Sequence, residues 1–139
     1  MEFLQEFKLK TKFLPEESVA LHIARDLETK ISVNPDRKHK NAHTPVEMVI
    51  AALGSCVMIN LQRFLLDEGV KYSDIDMELK GYRDPEIPKL VKIEYSIKVD
   101  GNLKEYDLEE VKAKIEKSST TYNTLKDAVE IIGKIEFSK

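Results

Sequence analysis

The chain has 139 residues, 42% of them apolar and 34% charged, with a formal net charge of -3. That is enough apolar material for the core of one domain, expected to span residues 1–139, and the negative balance argues against nucleic acid as the partner. A single cysteine excludes an intrachain disulfide, and no apolar run looks long enough for a membrane span, so a reducing cytoplasm is the expected compartment.

Glu2 to Phe13 alternates, with Phe3, Phe7, Leu9 and Phe13 on one face and Glu6, Lys8, Lys10 and Lys12 on the other, as in a half-buried strand. Leu14 to Ser18 reads as a turn, and Val19, Leu21 and Ile23 continue the alternation, which predicts a hairpin. His22 points out of that second strand and should be exposed. Thr29 to Val33 is a short third strand. Asn34 to His43 is polar, contains a proline and should be a mobile loop.

The segment from Thr44 to Gly69 organises the chain. Thr44 can cap a helix, Pro45 suits its first position, and Glu47 completes a T-x-x-E capping box. Gly69 is a left-handed terminator. Apolar residues cover nearly every face from Met48 to Leu61, so this helix should be buried. Ala51, Ala52, Gly54 and Ser55 form a small-residue side. Gly54 costs about 1 kcal/mol relative to alanine in mid-helix, so close packing or function should account for it.

Ser73 to Arg83 and Lys89 to Asp100 alternate as two further strands, separated by the proline-containing turn Asp84 to Pro88. Asp107 caps a helix whose stripe is Leu108, Val111 and Ile115, ending near Ser118. A short helix starts at Thr121 or Asn123, and Val129 to Phe137 forms a last strand. The order is β-β-β-α-β-β-α-α-β. Two groups of antiparallel strands around a buried helix make an α+β fold, not a doubly wound sheet. One small sheet cannot cover so apolar a helix, so a second copy is the expected cover, in a homodimer.

Cys56 is the first candidate for chemistry. A free cysteine is often a small buried hydrophobe, but the Gly54-Ser55 context leaves room for a substrate to reach the sulfur. A reactive thiol needs a cation or a helix N-terminus beside it, and Cys56 lies mid-helix. Glu47 is explained by the capping box, with a secondary role in orienting an arginine. His39 and His43 bracket the basic run from Arg37 to Lys40 but lack a third ligand, so neither a metal nor a cofactor is expected.

The pattern Thr44-Pro-x-Glu-x-x-x-x-Ala-Leu-Gly-Ser-Cys56 resembles the central-helix signature of the OsmC/Ohr family of hydroperoxide-reducing proteins. The strand Pro88 to Ile93 is similar to the family's strand after that helix. Glu116 to Leu125 resembles the second signature, E-K-x-C-P-V-x-N-T-L. The resemblance implies an intertwined homodimer with antiparallel sheets wrapped around two central helices. It also implies a thiol peroxidase. A first cysteine is oxidised by an organic hydroperoxide or hydrogen peroxide to sulfenic acid, a second resolves it as a disulfide, and an external dithiol reduces that. An arginine lowers the thiol pKa and a glutamate positions the arginine.

By the same resemblance Cys56 falls on the peroxidatic position and Ser119 on that of the missing resolving cysteine, with Thr120 and Thr121 replacing Pro-Val. The Ohr-type glutamate falls on Val46, while Glu47 matches the P-x-E of the broader OsmC-like branch. Pro15 to Ser18 occupies the usual arginine position, leaving Arg25, Arg37 and Arg83 as substitutes, of which Arg37 leads directly to the helix. The resemblance therefore implies a one-cysteine peroxidase using an external thiol or dithiol. The alternative is a non-catalytic protein binding a small apolar ligand in the dimer cleft.

Overall fold

The structure, a computed structural model, describes residues 4–138, in the element order expected from the sequence. It divides into two compact units, Met1–Met48 and Val49–Lys139.

The first unit is an antiparallel sheet of β1 (Lys10–Leu14), β2 (Val19–Ala24) and β3 (Leu27–Ser32). β1 starts later than the alternation implied. Leu4 to Leu9 form no strand, Glu2 and Phe3 lie outside the described residues, and Phe7, Leu9 and Phe13 are exposed. Period-2 alternation needs a covering layer to become a buried face, and the apolar side of β1 has none in this unit. β2 and β3 are joined by Arg25 and Asp26 alone, both at positive φ (51° and 66°), the pattern of primed hairpin turns that match strand twist. His22 is half-buried, not exposed, because its Nδ1 pairs with the Thr11 hydroxyl at 2.8 Å across the hairpin.

The segment from Asn34 to His43 is tied down rather than loose. The Ser32 hydroxyl meets His39 Nδ1 at 2.6 Å, and the Ser32 N–H donates to the His43 carbonyl at 2.8 Å. It delivers the chain to α1 (Pro45–Asp67), whose first turn closes this unit. The capping box forms in full: the Thr44 N–H donates to Glu47 Oε1 at 2.8 Å, and the Glu47 N–H donates to Thr44 Oγ1 at 3.1 Å.

In the second unit the rest of α1 meets β4 (Tyr72–Asp84), β5 (Lys89–Gly101), α2 (Leu108–Lys117), α3 (Thr120–Leu125) and β6 (Glu130–Phe137). The sheet order is β4-β5-β6. It is mixed, which corrects the expectation of antiparallel sheets alone: β5 pairs antiparallel with β4 but parallel with β6. The reason is the α2–α3 crossover, which carries the chain back so that β6 runs in the direction of β5. Leu53, Val57, Leu61 and Leu65 of α1 are fully buried in one core with Ile93, Ile97 and Val99 of β5 and Val111 and Ile115 of α2.

Gly54 faces this core. A Cβ there would lie 2.8 Å from Leu79 Cδ1 and 3.1 Å from Met77 Sδ, so close approach of β4 accounts for the residue. At the far end Gly69 (φ 68°) closes α1 in a Schellman motif, its N–H on the Leu66 carbonyl and that of Val70 on the Leu65 carbonyl. By length and hydropathy α1 could cross a membrane, contrary to the sequence reading, but its leucines pack as a core helix does. Burial is one-sided: Ile59 is 51% exposed and Leu66 79%.

Candidate functional site around Cys56

Cys56 sits near the middle of α1, half-buried. Its sulfur looks toward the junction of α2 and α3. Ser118 ends α2, and Ser119, in extended backbone, caps α3 by accepting from the Tyr122 N–H at 3.1 Å. Ser119 is 0% exposed, so its hydroxyl has no water to turn to. The short helix is further closed by Asn123, whose amide donates to the Lys117 carbonyl at 2.9 Å.

This junction decides the electrostatics of the sulfur. Burial pushes the Cys56 thiol up. Hydrogen bonding from the Ser119 hydroxyl, the Thr121 N–H and hydroxyl, and the Thr120 N–H outweighs it, so the pKa lies below the ordinary thiol value. The physical cause is that free N–H groups at a helix start, with flanking hydroxyls, favour an anion. The donors come from another helix than the one carrying the sulfur, which is why the mid-helix position of Cys56 is no obstacle.

The junction is itself held by a buried polar cluster. The Tyr95 hydroxyl donates to Glu116 Oε2 at 2.6 Å, with Tyr95 3% exposed. Burial and the Glu116 carboxylate push Tyr95 far above its usual range. Tyr122 is also raised, by burial first and then by the charge and hydrogen bond of Glu116. Both phenols therefore stay protonated, and the Glu116 carboxylate ties β5 to α2 through Tyr95. Gly133 on β6 makes room for the Tyr95 ring, which a Cβ would overlap.

One turn beyond Cys56, the Asn60 amide donates to the Cys56 carbonyl at 3.0 Å, and Arg63 Nη1 donates to Asn60 Oδ1 at 3.4 Å. Asn60, Arg63, Phe64 and Asp67 line one side of a cavity of about 160 Å³, with Lys114, Ile115 and Ser118 opposite.

Of the residues singled out from sequence, the structure brings Cys56 and Ser119 together. Glu47 and Arg37 belong to the first unit. Glu47 is occupied by its capping box, with His43 Nδ1 3.5 Å away, and its pKa is lowered, first by the Thr44 N–H. Arg37 adopts φ 60°, and its N–H donates to the Asn34 carbonyl at 3.0 Å. Arg83 Nη1 donates to the Asp84 carbonyl at 3.4 Å. His39 and His43 are engaged with different partners. Sequence reasoning gave Thr120 and Thr121 no role at the sulfur and passed over Asn60 and Arg63. The last two stand four and seven residues after Cys56, a helical spacing that could have found them.

The sequence model of OsmC-like proteins matches residues 37–133. No curated protein matches the chain. Among solved structures, the OsmC-like protein of Mycoplasma pneumoniae superposes with a TM-score of 0.83 at 14% identity, over 97% of this chain and 99% of that one. An organic hydroperoxide resistance protein OsmC from Legionella pneumophila gives 0.68 at 15% identity, over 96% and 99%. The organic hydroperoxide resistance protein OhrB of Bacillus subtilis gives 0.56 at 14% identity, over 96% and 98%. At these identities the likeness is one of fold.

Proposed function

Since this chain belongs to the OsmC-like protein family, we propose that it is a one-cysteine thiol peroxidase acting on organic hydroperoxides or hydrogen peroxide through Cys56. The observation that carries the reading is the placement of Cys56 beside the start of α3, where Ser119, Thr121 and Thr120 lower its pKa and so favour the thiolate that such chemistry needs. The thiolate attacks the terminal peroxide oxygen. An S–O bond forms, the O–O bond breaks, and the leaving oxygen departs as an alcohol or water after taking a proton. Cys56 is left as sulfenic acid. Ser119 cannot form a disulfide, so two equivalents of external thiol, or one dithiol, complete the cycle.

In this reading the α3 donors are the first support of the thiolate. Arg37 as a cation, with Glu47 orienting it, is secondary. The test is turnover of cumene hydroperoxide with excess dithiothreitol. Wild type should consume peroxide well above Cys56→Ser, and equal rates for the two would end the proposal.

The proposal includes a homodimer in the cytoplasm. Ile59 and Leu66 on α1, and Phe7, Leu9 and Phe13 in the first unit, are apolar and exposed, and a second copy would cover such surface. Sedimentation equilibrium at micromolar protein should give twice the chain mass. A second reading, a non-catalytic protein that binds a small apolar ligand, draws on a cavity of about 400 Å³ in the first unit, lined by Leu9, Leu27, Ile31 and Met48 together with His22, Arg25 and Thr29. Native mass spectrometry of freshly purified protein would reveal such a ligand as added mass.

A further inference from the structure

The cavity beyond Cys56 is set apart by its position, its charge and its size. Asn60, Arg63 and Asp67 follow Cys56 by four, seven and eleven residues, so they share its face of α1 at 3.6 residues per turn. On the opposite wall Ser118 adjoins Ser119, the cap of α3. The cavity thus continues the Cys56 site along the groove between α1 and α2.

Its walls carry two cations, Arg63 and Lys114, against one carboxylate, Asp67. Neither cation is spent on an ion pair with that carboxylate. The Lys114 ammonium stands 5.5 Å from the Phe64 ring centroid, and the Arg63 guanidinium is held by Asn60. Asn60 is 6% exposed, and both ends of its amide are fixed, one on the Cys56 carbonyl and one on Arg63. Because helical side chains lean toward the N-terminus, this draws the guanidinium back over the Asn60 turn, about 6 Å along the axis from Cys56. A volume of about 160 Å³ admits a small anionic group but not a folded partner.

We propose that this cavity holds the anionic group of the thiol that reduces oxidised Cys56, so that the reductant is a small monothiol carrying a carboxylate a few bonds from its sulfur. The inference rests on the peroxidase reading for its chemistry. The thiolate of the bound reductant attacks the Cys56 sulfenic acid. The new S–S bond forms as the S–O bond breaks, and the oxygen leaves as water with the proton of the thiol. A second thiol of the same kind attacks the mixed disulfide, releasing the small-molecule disulfide and the Cys56 thiolate. Arg63 and Lys114 act by binding and orienting, not by proton transfer.

The test has two arms on the full-length protein. The first needs no peroxide: reduced Cys56 is treated with 5,5′-dithiobis(2-nitrobenzoate), which is anionic, and with 2,2′-dithiodipyridine, which is not. Arg63→Gln with Lys114→Gln should slow the anionic probe about tenfold more than the uncharged one, and added salt should erase most of that difference. The second arm follows reduction of the preformed sulfenic acid by 3-mercaptopropionate and by 2-mercaptoethanol, where the double variant should lose rate selectively for the former. Equal slowing of both reagents in each arm, or no slowing, overturns the inference. If wild type forms no sulfenic acid, the peroxidase reading fails, while the first arm still decides whether the cavity binds anions.

Discussion

The Ser119 hydroxyl, at the junction of α2 and α3, is near enough to Cys56 to help hold its thiol below the ordinary value. The position that resembles that of a resolving cysteine is therefore near Cys56 in space, although the two are 63 positions apart in the chain (119 − 56). Ser119→Cys should therefore allow a disulfide to Cys56: after one equivalent of peroxide, intact mass should fall by two hydrogens and free thiols should vanish. Retention of two free thiols would mean that the pair cannot approach disulfide geometry.

The pH dependence of Cys56 follows from the same donors. Its folded pKa is lowered, so on unfolding the thiol takes up protons in the interval between the folded value and the ordinary value of about 8.5. Stability from this group is complete above the ordinary value and is lost as pH falls through the folded value. Urea midpoints across this interval should rise with pH for wild type and flatten for Cys56→Ser. Alkylation of native Cys56 should show a midpoint below that of free cysteine. Ser119→Ala should raise that midpoint and slow alkylation at pH 7, by at most roughly tenfold to a hundredfold, the worth of one hydrogen bond to an anion. Arg37→Ala should move it less.

Local rules made much of this fold legible. The capping box at Thr44 and Glu47, the Schellman end at Gly69, the alternation of β5 and the cap at Asp107 are each written within a few residues, and each appears in the structure. What could not be read is long-range. The parallel pairing of β6 with β5 depends on where the α2–α3 crossover lands, which no period encodes. The glycine in mid-helix announced a close contact but not that Leu79 and Met77 make it. The site was half legible. Cys56 stood out as the lone cysteine and Ser119 came from motif resemblance, but the identity of the sulfur's neighbours depends on α3 starting at Thr120. Read locally, the Ser-Ser-Thr-Thr run is only a polar break.

The Tyr95–Glu116 bond is the main polar fastening of the site, buried and short at 2.6 Å. Tyr95→Phe leaves the Glu116 carboxylate short of a donor in low dielectric, which should cost about 1–3 kcal/mol in denaturant unfolding. Gly133→Ala pushes a methyl into the Tyr95 ring and should cost a similar amount by overpacking. Because both act on one bond, the double variant should be less destabilised than the sum of the two. Simple additivity would show that Gly133 and Glu116 constrain Tyr95 independently.

The β2–β3 turn offers a stabilising change that also bears on function. Arg25 and Asp26 both adopt positive φ, a left-handed conformation that costs an ordinary L-residue roughly 1–2 kcal/mol. Asn-Gly is the pair best suited to a two-residue hairpin of this kind. Arg25→Asn with Asp26→Gly should therefore raise stability by about 1 kcal/mol, reduced somewhat by the greater freedom of glycine in the unfolded chain. The same change removes Arg25, one of the three arginines that sequence alone left as candidate partners of the thiolate. Donors from α3 already account for the lowered pKa of Cys56, so the alkylation midpoint of the stabilised variant should match that of wild type. A midpoint that rose with the loss of Arg25 would instead assign that guanidinium to the thiolate, whether within one chain or from a second copy.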